Sequence, residues 1–222
     1  VRIRVKICGL TRAADARLAA QRGADYLGVI LAPGPRRVAA AEAATWIREV
    51  HQEFPGSRWV GVFVRPSAAE IEDAVGALGL DLAQVHGLSP VDRVATRVPW
   101  ILATTADRVG EIPGFESSDD PPRSLRPPCC ALVDSAAGGG SGKPFDWSVL
   151  PPPPRPYRLF LAGGLGPSNV VDAIRRVRPY AVDASSRLES RPGEKDPARL
   201  TAFFAAVSCA NALPLPPPEG SA

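Results

Sequence analysis

The sequence predicts an α/β protein built as a single (β/α)8 barrel, with a weak or missing helix between strands five and six. Three observations carry that expectation. Eight short apolar runs, several rich in Val, Ile and Leu, alternate with Ala-rich helical stretches. The joint from helix to strand recurs, Gly23-Ala24-Asp25-Tyr26-Leu27 being echoed by Gly79-Leu80-Asp81-Leu82-Ala83. In each copy Gly stands where a left-handed residue closes a helix. The pattern also runs unbroken through most of 222 residues, which suits one closed barrel better than a doubly wound sheet.

In order, strands are expected at residues 3–8, 26–31, 59–64, 82–86, 100–104, 131–134, 158–162 and 181–185. Helices are expected at 13–22, 40–53, 68–78, 90–97, 167–177 and 197–210. In the third helix Ile71, Val75 and Leu78 form one stripe, with Glu70, Glu72 and Asp73 away from it. Ser67 and Ser168 stand where N-caps belong. Residues 108–128 are rich in Pro, Ser and Asp and carry no helical stripe. Four prolines at 151–154 leave room after strand six for little more than a turn. The barrel is expected over residues 1–212 and a Pro-rich, disordered tail over 213–222.

Composition narrows the function classes. Lys and Arg number 26 against 23 Asp and Glu, a scattered net charge of +3, too small to argue for a nucleic-acid partner, and none is expected. No run approaches 18 apolar residues, so no membrane-spanning helix is expected. The cysteines, Cys8, Cys129, Cys130 and Cys209, include an adjacent pair and form no disulfide framework. A reducing, cytoplasmic setting is the expectation.

In a barrel, chemistry gathers at the C-terminal ends of the strands. Strand period puts Ile3, Val5 and Ile7 toward the helices and Arg4, Lys6 and Cys8 into the lumen, with Cys8 at the rim. Leu132 and Asp134 share a face of strand six in the same way. A thiol and a carboxylate across a barrel mouth can serve as base and acid, with Lys6 a candidate to lower the thiol's pKa and burial to raise the carboxyl's. Taken singly, a strand-end Cys is more often a small buried hydrophobe, and an Asp there more often a cap. Gly163-Gly164 after strand seven and Ser185-Ser186 after strand eight lie where barrels hold phosphate on backbone N–H groups. The stretch Gly138 to Lys143 lacks the spacing of a nucleotide-binding loop. It is expected to be a mobile loop closing over substrate.

Together these residues resemble the phosphoribosylanthranilate isomerase family. The resemblance runs in order over roughly residues 3–207: Lys6-Ile7-Cys8-Gly9-Leu10-Thr11, Gly61-Val62-Phe63-Val64, Gln84-Val85-His86-Gly87, Gly139-Gly140-Ser141-Gly142-Lys143, Phe145-Asp146-Trp147, Ala162-Gly163-Gly164-Leu165, Asn169-Val170, Arg178-Pro179-Tyr180, Asp183, Ser185-Ser186 and Pro192-Gly193-Glu194-Lys195-Asp196. It implies an Amadori rearrangement of N-(5-phosphoribosyl)anthranilate in L-tryptophan biosynthesis, with Cys8 as general base and Asp134 as general acid. It implies no cofactor and no metal, because the anthranilate nitrogen stabilises the intermediate. It places Arg37 at the position that contacts the anthranilate carboxylate, His86 and Asp183 among the substrate-binding residues, and Gly163, Gly164, Ser185, Ser186 and Arg187 around the phosphate. As partners it implies a small phosphosugar, and fusion to or association with other enzymes of tryptophan synthesis. Two positions depart from the pattern: Arg187 stands where the family has Gly, and Arg65 where it has Asn. A left-handed backbone at 187 would cost an Arg about 1–2 kcal/mol. Two alternatives stand beside this reading: a diverged, non-catalytic barrel, and the related phosphosugar isomerase of histidine synthesis, whose base and acid are both Asp.

Overall fold

Runs of β-branched and aliphatic residues that must be buried on both faces pair most simply side by side in parallel, and this chain does so until the sheet closes. The computed structural model describes residues 2–88, 94–112, 128–135 and 145–212. The strands are β1 (Arg4–Ile7), β2 (Tyr26–Ile30), β3 (Arg58–Val64), β4 (Leu82–His86), β5 (Trp100–Thr105), β6 (Cys130–Asp134), β7 (Leu159–Leu161) and β8 (Ala181–Ala184). They pair in sequence order, and β8 returns to β1 to close the barrel. The closing register sets Lys6 opposite Asp183, two residues far apart in sequence.

Strand alternation divides the interior into two cores. Ile3, Val5, Ile7, Leu27, Val29, Val85, Leu102 and Val133 face outward against the helices. Tyr26, Val60, Leu82, Ile101, Leu132, Phe160 and Ala181 fill the lumen. The lumen is therefore packed beneath the mouth, and only the residues above this plug can meet a ligand.

The outer layer holds α1 (Ala13–Gln21), α2 (Ala40–Glu53), α3 (Ala68–Leu78), α4 (Val170–Val177) and α5 (Pro197–Ala212). Ser67 caps α3 in a reciprocal box with Glu70. At the repeated joints Gly23 has φ 95° and Gly79 φ 65°, the left-handed turn that Gly permits. The Asp that follows has a second task. Asp25 Oδ2 accepts from Val5 N at 2.8 Å and Asp81 Oδ2 from Trp59 N at 2.7 Å. Each carboxylate thus ties the start of its own strand to the strand before it.

Some expectations change. Helix α4 begins at Val170, not at 167, because the Asn169 side chain is spent across the preceding loop, donating to Gly164 O and accepting from Gly166 N. Ser168 is accordingly not a cap. Residues 90–93 lie outside the described residues, and 94–97 are not helical. After β5 the described chain makes a 3-10 turn, Ala106–Glu111, and after β6 a single turn, Trp147–Val149. An unforeseen hairpin, β9 (Glu189–Arg191) and β10 (Glu194–Lys195), turns at Pro192-Gly193 after β8. The stretch Gly138 to Lys143 and residues 213–222 lie outside the described residues.

Candidate active site

The barrel mouth opens into a cleft of about 220 Å3. Its lining includes Cys8, Val62, Gln84, His86, Asp134 and Ser185, each on the lumen side of its strand or just past its end. The thiol and the carboxyl from opposite parts of the sequence thus share one cavity. Gln84 Oε1 and Ser185 Oγ are buried in its wall and have no hydrogen-bond partner among the described residues. Such groups suit a polar ligand, because a buried polar atom without a partner costs about 1–3 kcal/mol.

Beneath Cys8 lies an ion pair. Lys6 is fully buried, and its Nζ donates to Asp183 Oδ1 at 2.9 Å. Burial pulls the Lys6 ammonium toward the neutral form, but the Asp183 carboxylate and Cys8 outweigh it, and its pKa is raised. For Cys8, burial pushes the thiol pKa up, and the nearby Lys6 charge only partly opposes this. The expected lowering by Lys6 is present, but desolvation is larger. Asp134 is also raised, first by burial and further by the Asp183 charge, against the Ser135 N–H that donates to its Oδ1 at 2.7 Å. A carboxyl held partly toward its acid form can donate a proton. His86 is pushed down to about 4 by burial and by Lys6, so it is neutral and accepts from Gln84 Nε2 at 2.8 Å.

The two arginines after β2 have different situations. Arg36 lines the cleft, but its guanidinium makes a two-pronged pair with Glu189 at 2.8–3.0 Å. Glu189 also accepts from Lys195 Nζ at 2.8 Å, and Lys195 reaches Ser185 O at 3.3 Å. Arg37 is exposed and is not part of the cleft lining, although its backbone bridges Ile30 beneath the rim. Arg37 is in none of the ion pairs formed among the described residues.

Past β7, Gly163 and Gly164 have φ 87° and 62°. A side chain at Gly163 would sit 3.2 Å from Asp134 Oδ1, so this turn packs directly on the carboxyl. Past β8, Ser186–Leu188 forms a 3-10 turn. Among the described residues only Arg65 and Arg178 have a positive φ without being Gly. Arg187 therefore carries no left-handed strain; it is exposed, and its side chain runs over Gly166 of the β7 loop. The strain falls on Arg65 instead, at φ 46°, where Asn would tolerate the turn better. Among the described residues no group of three His, Cys, Asp or Glu side chains could hold a metal ion, and no helix is long and apolar enough to cross a membrane.

Gln84 and the Arg36–Glu189–Lys195 cluster are absent from the site read in the sequence. The period of two in β4, which puts Leu82, Gln84 and His86 on one face, is a signal that could have found Gln84. The cluster has no local signal, because it forms only when the β8 loop folds back on the β2 loop.

Comparison with known proteins agrees with this arrangement. The sequence model of the N-(5'-phosphoribosyl)anthranilate (PRA) isomerase family matches residues 5–206. The N-(5'-phosphoribosyl)anthranilate isomerase of Granulibacter bethesdensis is 39% identical over 210 residues, covering 91% of this chain and 97% of its own. The crystal structure of phosphoribosyl anthranilate isomerase from Thermotoga maritima superposes with a TM-score of 0.74 at 32% identity, covering 93% and 99% of the two chains. A phosphoribosyl anthranilate isomerase in complex with reduced 1-(o-carboxyphenylamino)-1-deoxyribulose 5-phosphate superposes at 0.68 with 28% identity, over the same shares. A closed eight-stranded barrel with a thiol and a carboxyl at its mouth, matched along nearly its whole length, belongs to the N-(5'-phosphoribosyl)anthranilate isomerase family.

Proposed function

We propose that this barrel converts N-(5-phosphoribosyl)anthranilate to 1-(2-carboxyphenylamino)-1-deoxyribulose 5-phosphate, with Cys8 as general base and Asp134 as general acid. One observation carries the proposal: a thiol from β1 and a carboxyl from β6, the latter raised toward its acid form by burial, line one cleft. Asp134 gives its proton to the ribose ring oxygen as the C1–O bond breaks and the nitrogen lone pair forms a C1=N bond. Cys8, as thiolate, removes the C2 proton. The C–H electron pair becomes a C1=C2 bond, and the C1=N electrons return to nitrogen. The resulting enol then becomes the ketone. Each proton transfer contributes about 10²–10⁴-fold.

The remaining roles follow the chemistry of the substrate. Arg37 suits the anthranilate carboxylate through its planar fork. His86 and Asp183 suit the ribose hydroxyls. Gly163, Gly164, Ser185, Ser186 and Arg187 suit the phosphate, the first four through backbone N–H groups and Arg187 through its charge. The pair of carboxylates expected of the histidine-pathway relative is not what this site offers, since the residue that follows β1 is Cys8. The four free thiols support a reducing, cytoplasmic setting. The test is turnover of freshly made phosphoribosylanthranilate by the wild-type chain. Product formation far above the uncatalysed rate is expected, and its absence would mark a barrel that has lost the reaction.

A further inference from the structure

A buried thiol is a weak base, and burial holds Cys8 toward the thiol form. The structure offers a remedy in a residue that need not touch the substrate. Lys6 sits two residues before Cys8 on the same face of β1, fully buried, with its ammonium already charged against Asp183. Its charge favours the Cys8 thiolate, and the thiolate in turn favours the charged ammonium. The two heads meet over Gly28 of β2. A Cβ built there would lie 3.0 Å from Cys8 Sγ, 3.2 Å from Cys8 Cα and 3.3 Å from Lys6 Nζ, so any side chain at 28 presses on both residues. Gly28 is followed by ordinary strand and is not among the glycines with a positive φ. The missing side chain at 28 therefore serves space and not backbone conformation.

We propose that Lys6 is the positioning residue that makes Cys8 a usable base, with Gly28 keeping the ammonium against the sulfur and Asp183 acting as a counter-charge that tempers it. This rests on the reading of Cys8 as the base. Without Lys6 the thiolate would be an unpaired buried anion. Without Asp183 the full cation would face the sulfur. The other charged groups that bear on Cys8 are Lys195 from β10 and Arg36 from the loop after β2, both cations already paired with Glu189. Asp134 from β6 and His86 from β4 face the same cleft. The pair beneath Cys8 can be altered from either sign of charge.

The experiment is the pH dependence of Cys8 alkylation by iodoacetamide, followed by peptide mapping, on the full chain. It reads the thiolate directly and needs no turnover, so it stands even if the isomerase reading fails. Lys6→Met should move the titration of Cys8 up by about one pH unit or more, a tenfold slower alkylation at a fixed pH below the midpoint. Asp183→Asn should move it down and speed alkylation. Gly28→Ala, which keeps both charges, should move it in the Lys6→Met direction. On substrate, Lys6→Met should lower kcat with KM little changed. A purely structural role would shift the two charge variants together. Shifts of the same sign, or none in either, would overturn the proposal. If Lys6→Met fails to fold, Gly28→Ala decides: an upward shift supports the coupling, and an unmoved or lowered titration overturns it.

Discussion

Substituting Gly163 by Ala tests whether the β7 turn positions the acid. The backbone there has φ 87°, which costs an L side chain about 1–2 kcal/mol. The new Cβ would also lie 3.1 Å from Ser135 N, 3.2 Å from Asp134 Oδ1 and 3.2 Å from Phe145 Cδ1. The phenyl ring can turn aside. Ser135 N cannot move without the carboxylate it holds at 2.7 Å. The contact is therefore relieved by shifting Asp134 a few tenths of an ångström, and misplacing a proton donor on this scale costs about 10–100-fold in rate, or roughly 1.4–2.7 kcal/mol. Gly79→Ala is the control. It has φ 65°, and a Cβ there meets no atom within 4 Å. Both variants should lose about 1–2 kcal/mol of stability, read as a drop of several degrees in Tm. Only Gly163→Ala should lose kcat/KM on phosphoribosylanthranilate. Wild-type kcat/KM in Gly163→Ala, or an equal loss in Gly79→Ala, would refute the reasoning.

Other perturbations separate binding from folding. Arg37→Ala should raise KM, by about tenfold or more for a lost charge-assisted hydrogen bond, with Tm unchanged, whereas Arg36→Ala should lower Tm because it breaks a largely buried pair with Glu189. The opposite split, seen by kinetics and thermal melting, would exchange their roles. Arg187→Gly should weaken inorganic phosphate binding by about 1–3 kcal/mol in a titration; equal affinities would show that Arg187 takes no part in holding the phosphate. His86 is held near pKa 4 against an ordinary 6.5, so the unfolded chain binds its proton first as pH falls. Its contribution to stability is full above pH 6.5 and is lost between 6.5 and 4, on the order of 3 kcal/mol at most. In urea melts, His86→Gln should flatten stability across that window, and an unchanged slope would contradict the burial argument.

The alternation of strands with helices and the parity of each strand were legible in the sequence. Cys8 and Asp134 could be aimed at the mouth from neighbouring residues alone, because a period of two is a local property. The Lys6–Asp183 pair could not, since β1 and β8 meet only on closure, 177 positions apart. The same limit hid the Arg36–Glu189–Lys195 cluster. The cost assigned to Arg187 failed for a different reason. A Gly in a family pattern signals either backbone freedom or room, and at 187 the turn is 3-10 with ordinary φ. Lys6 does lower the Cys8 thiol as expected, but the net shift is upward, because desolvation scales with burial, which a strand pattern does not quantify. The left-handed glycines at the joints were foreseen, but not that the Asp beside each would stitch two strands together.

The division of labour between thiol and carboxyl is tested most directly by kcat of Cys8→Ser and Asp134→Asn on freshly made phosphoribosylanthranilate, with circular dichroism to confirm that both variants fold. Each substitution keeps the shape of the side chain and removes its proton chemistry. The account predicts that each loses about 10²–10⁴-fold in kcat while retaining the fold. Near-wild-type kcat in the folded Cys8→Ser chain would contradict it.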